Sequence, residues 1–94
     1  GGGAGAWADA GSVYFRLLEA RDRSHELLPV LELFYDNDGS VQEVADKLHL
    51  HRSSIYNRVG RIRQLLGVDP LKGMVRLELH AALKARRWAD RPRI

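Results

Sequence analysis

Apolar positions recur along this chain at helical spacing, and they predict an all-α fold: a small bundle of four to five helices with no sheet. The clearest pattern lies in residues 40–67. There Val41, Val44, Ala45 and Leu48 mark one amphipathic helix, and Ser40 stands where its hydroxyl can accept a free amide of the first turn. A second helix, capped by Ser53 or Ser54 and spanning about residues 53–66, carries Ile55, Val59, Ile62 and Leu66 as an unbroken stripe. The turn between them is too short for anything but a helix-turn-helix. Ala45 supplies the small side chain that a close helix crossing needs, and Leu50 plugs the turn.

The flanking patterns complete the bundle. Leu27, Val30, Leu31 and Phe34 share one face of a helix predicted over residues 24–37, with Pro29 tolerable near its start and Asp36, Asn37, Asp38 and Gly39 as its stop. Upstream, residues 12–23 read as a short lead-in helix capped by Ser12, with Val13, Tyr14, Phe15, Leu17 and Leu18 as apolar surface. Arg21, Asp22 and Arg23 end it in a charged linker. Residues 1–11 read as a flexible segment or a cloning remnant. Gly67 is placed as the C-cap of the second motif helix, and Asp69 followed by Pro70 reads as a new helix start. That last helix carries two apolar sides, Met74, Leu77, Ala81 and Trp88 on one and Val75, Leu79, Ala82 and Leu83 on the other. Arg76, His80, Lys84 and Arg87 form a polar stripe read mainly as a solvated face. The wide apolar surface can serve the bundle or a second subunit. The domain proper is therefore expected over residues 24–88, with 89–94 a basic tail.

If the stripe of the second motif helix faces the core, Ser53, Asn57, Gly60, Arg61 and Gln64 lie on its outer side. Asn57 and Gln64 carry the donor and acceptor pair that matches the major-groove edge of adenine, and Arg61 can fork onto guanine or a phosphate. With Ser53 and Tyr56 these are the candidate base-reading residues. Gly60 is unexpected, because glycine inside a helix costs roughly 1 kcal/mol relative to alanine. It is read as a point of close approach to DNA, a tolerated surface glycine being the alternative.

Charge changes the picture next. Residues 1–51 hold four Lys/Arg and nine Asp/Glu, net −5, whereas residues 52–94 hold eleven and three, net +8. Arg52, Arg58, Arg61 and Arg63 all fall at or within the second motif helix. With Ser40, His49 and His51 around the turn, Arg52, Arg58 and Arg63 are the candidate phosphate contacts. Double-stranded DNA is the partner this implies.

Other classes find less support. At 94 residues the chain is one small domain, and with no cysteine it has neither a disulfide scaffold nor a thiolate nucleophile. No apolar run has membrane-span length and no signal-peptide pattern appears, so a soluble cytoplasmic protein with no membrane partner is expected. Asp36, Asp38 and Glu43 have no apolar pocket around them, no nucleophile stands in register with a base, and no catalytic residue is assigned. His49 and His51 lack a third ligand; no metal and no cofactor is expected.

The run His49-Leu50-His51-Arg52-Ser53-Ser54-Ile55, continuing through Asn57-Arg58-Val59 and Arg61-Ile62, resembles the carboxy-terminal helix-turn-helix of PucR/CdaR-type bacterial transcriptional regulators. The resemblance covers about residues 27–87. It implies a DNA-binding output module of a longer regulator whose upstream, small-molecule-sensing domain lies outside this chain. Action as a homodimer on a repeated site is expected on separate grounds, since a two-fold dimer presents two recognition helices about one DNA turn apart. His49, His51 and Arg52 match the family's turn, and Arg58 and Arg61 its basic positions. Ser53, Ser54 and Asn57 depart from the usual Asn, Thr and Tyr. Lys72-Gly73-Met74-Val75 departs from an acidic helix start. The second motif helix is also similar to that of Fis-type nucleoid proteins. A nonspecific architectural DNA binder and a helical dimerisation or protein-interaction module therefore stand as alternatives.

Overall fold

The computed structural model describes residues 13–92. Among these are five helices and no strand: α1 Val13–Arg21, α2 Leu27–Asp36, α3 Val41–Leu48, α4 Arg52–Leu66 and α5 Gly73–Ala89. The all-α reading holds. The cap assigned to Ser12 and the segment 1–11 lie outside the described residues.

Two apolar clusters hold the helices, and α2 and α4 belong to both. Val30 and Phe34 of α2 pack with Val44 and Ala45 of α3 and with Ile55 and Val59 of α4. Leu27, Leu31 and Tyr35 of α2, with Ile62 and Leu66 of α4, pack against Phe15 and Leu18 of α1 and Leu79 and Leu83 of α5. The stripe on α4 is thus buried along its whole length, its first half in the motif and its second half in the rest of the bundle. Each such aliphatic side chain contributes about 1.5–3 kcal/mol when fully buried. The orientation of α4 is fixed at both ends.

The start of α2 corrects the expected linker. Asp22 is 3% exposed, and its carboxylate accepts the amides of Glu26 (2.9 Å), Leu27 (3.0 Å) and Leu28 (3.0 Å). Pro29, the third helical residue, has no amide to satisfy. All the orphan donors of that helix end are therefore accounted for by one carboxylate and one proline. The helix runs over 27–36 rather than 24–37, because residues 22–25 form the turn that carries the cap, with His25 at φ 57°.

Two further boundaries differ from expectation. Neither Ser53 nor Ser54 caps α4: the cap position is His51, with extended backbone and no side-chain hydrogen bond. Asp69-Pro70 does not open α5. The Asp69 carboxylate instead accepts the amide of Leu71 at 2.9 Å, closing a local turn, and Tyr35 donates its hydroxyl to the Pro70 carbonyl at 2.6 Å. The amide of Leu71 holds the Asp69 carboxyl below its ordinary value, and burial pushes the Tyr35 phenol up. Pro70 is buried and Leu71 touches both clusters, so the chain crosses the bundle before α5 begins at Gly73.

The polar stripe of α5 is exposed as expected, apart from half-buried His80, but it is also tied into ion pairs. Lys84 pairs with Asp36 (2.8 Å) and Glu32 (3.7 Å), Arg87 Nε donates to Glu32 at 2.8 Å, and His80 stands 3.6 Å from Asp36 and beside the Tyr35 ring. Arg76 approaches the other partner of that cluster, with its guanidinium carbon 6.0 Å from the Tyr35 centroid. On the neighbouring edge Arg86 pairs with Glu19 of α1 at 2.6 Å. This network ties α5 to α2 and α1. No described helix is long and apolar enough to cross a membrane.

Candidate nucleic-acid interface

The motif is built by α3, a three-residue turn and α4. Ser40 caps α3 as expected, its hydroxyl accepting the Glu43 amide at 3.3 Å. At the other end His49 adopts the left-handed conformation, φ 56° and ψ 43°, which turns the chain out of α3, and the Leu50 amide donates to the Ala45 carbonyl at 2.9 Å. Leu50 then packs onto the motif cluster, as its apolar character requires, while His49 and His51 remain exposed on either side. Ala45 is buried where α3 meets α4. A larger side chain there would push α4 away.

With Ile55, Val59, Ile62 and Leu66 turned inward, α4 shows Ser53, Asn57, Arg61 and Gln64 to solvent. Tyr56 is 60% exposed on one flank of this face. Arg52 opens the helix at its positive end, where the free amides of the first turn also point. Gly60 sits among Tyr56, Asn57 and Gln64, one turn away on either side. A β-carbon at Gly60 would meet nothing within 4 Å, and its backbone is ordinary helix. Nothing inside the protein requires glycine there. Gly67, by contrast, ends α4 at φ 71°, a conformation in which a side chain is strained.

The structure adds an acid that sequence spacing did not reveal. Glu26, at the start of α2, places Oε2 3.4 Å from Arg61 Nη1 and Oε1 3.9 Å from Arg58 Nη2. Arg58 also reaches the Glu26 carbonyl at 3.5 Å, and only 23% of its side chain is exposed. Arg63 lies 3.4 Å from Asp69. Among the described residues, Arg52 is the arginine of α4 with no acidic partner. The candidate base-reading residues therefore share one open face, and Arg58 and Arg63 on either side of it have their charges partly answered. No local signal marks Glu26, which is more than thirty residues from its partners; only the packing of α2 on α4 brings them together.

Fold and site define a helix-turn-helix module whose second helix presents a polar outer face. The comparison with known families agrees: the model of the PucR C-terminal helix-turn-helix domain matches residues 27–85. The chain belongs to that family, the DNA-binding helix-turn-helix domains of transcriptional regulators. No curated protein and no solved structure matches it.

Proposed function

We propose that this domain binds DNA sequence-specifically by inserting α4 into the major groove, as the output module of a bacterial, cytoplasmic regulator. The observation that carries the reading is the outer face of α4, where Ser53, Asn57, Arg61 and Gln64 surround a glycine that the protein's own packing does not need. Ser53, Tyr56, Asn57, Arg61 and Gln64 read base edges. Ser40, His49, His51, Arg52, Arg58 and Arg63 stand toward phosphates, and Gly60 lets the backbone approach. One such helix reads only a few base pairs, so two copies act together on half-sites about one DNA turn, roughly 34 Å, apart. The 24–88 unit is the binding domain, with 12–23 leading into it.

Selection of bound sequences from a randomised duplex pool, followed by salt titration of the winner, tests this. Enrichment of a repeated half-site is the expected result, and Asn57→Ala should then cost about 1–3 kcal/mol and relax one base position. Salt-sensitive binding without enrichment would replace the reading with an architectural one. Absence of binding even at low salt would replace it with an interaction module, a role that the exposed apolar face of α5 also suits.

A further inference from the structure

Three of the large apolar side chains that remain more than half exposed lie on one face of α5: Met74 (67%), Leu77 (61%) and Trp88 (67%). Ala81 and Ala85, also exposed, fill the stripe between them. The opposite side of α5 is already used, since Leu79 and Leu83 are in the core and the bases pair with α1 and α2. On the order of 400 Å² of contiguous apolar surface is thus left in water, about what the largest patch of a small monomer carries when it has a function.

We infer that this stripe is the contact between two copies of the chain, paired antiparallel about a two-fold axis at Ala81. The inference rests on the two-copy reading above and names its interface. An isologous contact must be complementary to itself, and the stripe is. Met74 and Trp88 lie seven residues either side of Ala81, and Leu77 and Ala85 four either side. Antiparallel pairing therefore sets Met74 of one copy on Trp88 of the other, sulfur against ring, and Leu77 on Ala85. Small Ala81 meets itself at the axis, which allows an interhelical distance of about 9–10 Å without a gap or clash there. Arg91 already lies over one face of Trp88, 3.6 Å from its centroid, and donates to the Trp88 carbonyl at 2.7 Å, so the indole is held in place with its other face open. Charge does not oppose the approach. Lys84, Arg86 and Arg87 are each answered by Asp36, Glu19 or Glu32 of their own copy.

Size fixes how strong the contact is. Two stripes and their margins bury about 1,200 Å², the bottom of the range for specific interfaces. The isolated chain should therefore associate weakly and close the contact when two copies are held side by side. Because the α5 core residues meet α4 only through the shared cluster on its inner side, at Ile62 and Leu66, the outer face of α4 stays open in both copies.

The chain has no cysteine, so an introduced one is unique. Under mild oxidation Ala81→Cys should form a disulfide-linked dimer at least ten times faster than Ala85→Cys. Paired Cα atoms at the axis fall within the roughly 4.4–6.8 Å a disulfide spans, whereas the two positions 85 are separated by about 12 Å along the helices. Leu77→Glu, at an exposed site, should bring Ala81→Cys down to the Ala85→Cys rate with an unchanged circular dichroism spectrum. Sedimentation equilibrium of the unmodified chain should show the mass rising above 10.6 kDa between about 10 µM and 1 mM. Equal cross-linking at the two positions, or a strict monomer throughout, would overturn the inference and assign the stripe to a different partner. Cross-linking is read without DNA, so it decides the interface whatever the DNA titrations give.

Discussion

Replacing Gly60 by alanine should move stability and DNA affinity in opposite directions. Gly60 is the ninth residue of the fifteen in α4, in ordinary helical conformation. Alanine at such a position is favoured by roughly 1 kcal/mol, through the conformational entropy that glycine loses on folding. No steric cost offsets this, because the added carbon would find no atom within 4 Å. For a domain of this size that gain raises Tm by about 4–8 °C. If the glycine exists to let DNA come close, the same methyl group must displace the helix from the groove. A loss comparable to one mismatched base pair, about 1–3 kcal/mol, then follows, or tenfold and more in Kd. Thermal unfolding by circular dichroism and titration of a selected duplex by fluorescence anisotropy measure the two effects separately. A lower Tm would refute the account of the helix interior. A higher Tm with unchanged affinity would reduce Gly60 to a surface residue and remove it from the interface.

Asp22→Ala should destabilise the domain by about 2–3 kcal/mol, since it strips a charged cap from three amides at the start of α2; Asp22→Asn, which keeps an acceptor, should lose clearly less in urea unfolding, and equal losses would discount the capping geometry. Acid should weaken the bundle through α5. Hydrogen bonding to Arg87 lowers the Glu32 carboxyl below its ordinary 4.5, and hydrogen bonding to Lys84 lowers Asp36 below 3.8. Because the folded values are depressed, the stability they confer is complete above the unfolded values and is lost as pH falls through the folded ones. Urea midpoints should therefore hold level down to about pH 4.5 and decline below it, less steeply in a Glu32→Gln, Asp36→Asn variant. Glu26→Gln should tighten nonspecific DNA binding and steepen its salt dependence by up to one phosphate equivalent, a log–log slope change of about 0.9, with a stability loss under about 1 kcal/mol because Glu26 and Arg61 are exposed and the Arg58 pair is long; an unchanged slope would place Glu26 away from the DNA.

What was legible in the sequence is what local periodicity writes directly. Ile55, Val59, Ile62 and Leu66 repeat at the helical period, so their burial and the outer placement of Asn57 and Gln64 follow from one measurement of spacing. Ser40 and Gly67 work within a single turn, and both took their expected roles. Two of the misread boundaries, those of α2 and α5, share a cause: a local signal was satisfied by a different local hydrogen bond. Asp69 spends its carboxylate on the turn amide of Leu71, and Pro70 is held in the core under Tyr35, so Asp-Pro closes a loop here instead of opening a helix. Asp22 looked like one charge in a linker because its partners lie four to six residues on, beyond the reach of an ordinary N-cap. The polar stripe of α5 and the position of Glu26 depend on how helices distant in sequence pack, which no spacing records.

That packing also changes what the charge division means. The net −5 and +8 of the two halves suggest a strongly basic surface, yet Lys84, Arg86 and Arg87 are answered by α1 and α2, Arg58 and Arg61 face Glu26, and Arg63 faces Asp69. Part of the asymmetry is the fold holding itself together. If all four arginines of α4 nevertheless released counterions on binding, the log–log salt slope of one domain would be about −3.6. If the acids keep their partners and Arg52 acts with little help, the slope lies nearer −1. With Arg52, Arg58 and Arg63 at phosphates and Arg61 on a base edge, the expected slope lies between these, about −2.7. It means that affinity cannot come from charge alone and must be supplied by the uncharged centre of the face, Ser53, Asn57 and Gln64, together with a second copy. A slope nearer −1 on random-sequence duplex would show that Arg58 and Arg63 keep their acids and would remove them from the phosphate contacts, whereas one steeper than about −3 would put Arg61 on a phosphate as well and return the domain to an electrostatic, sequence-tolerant mode.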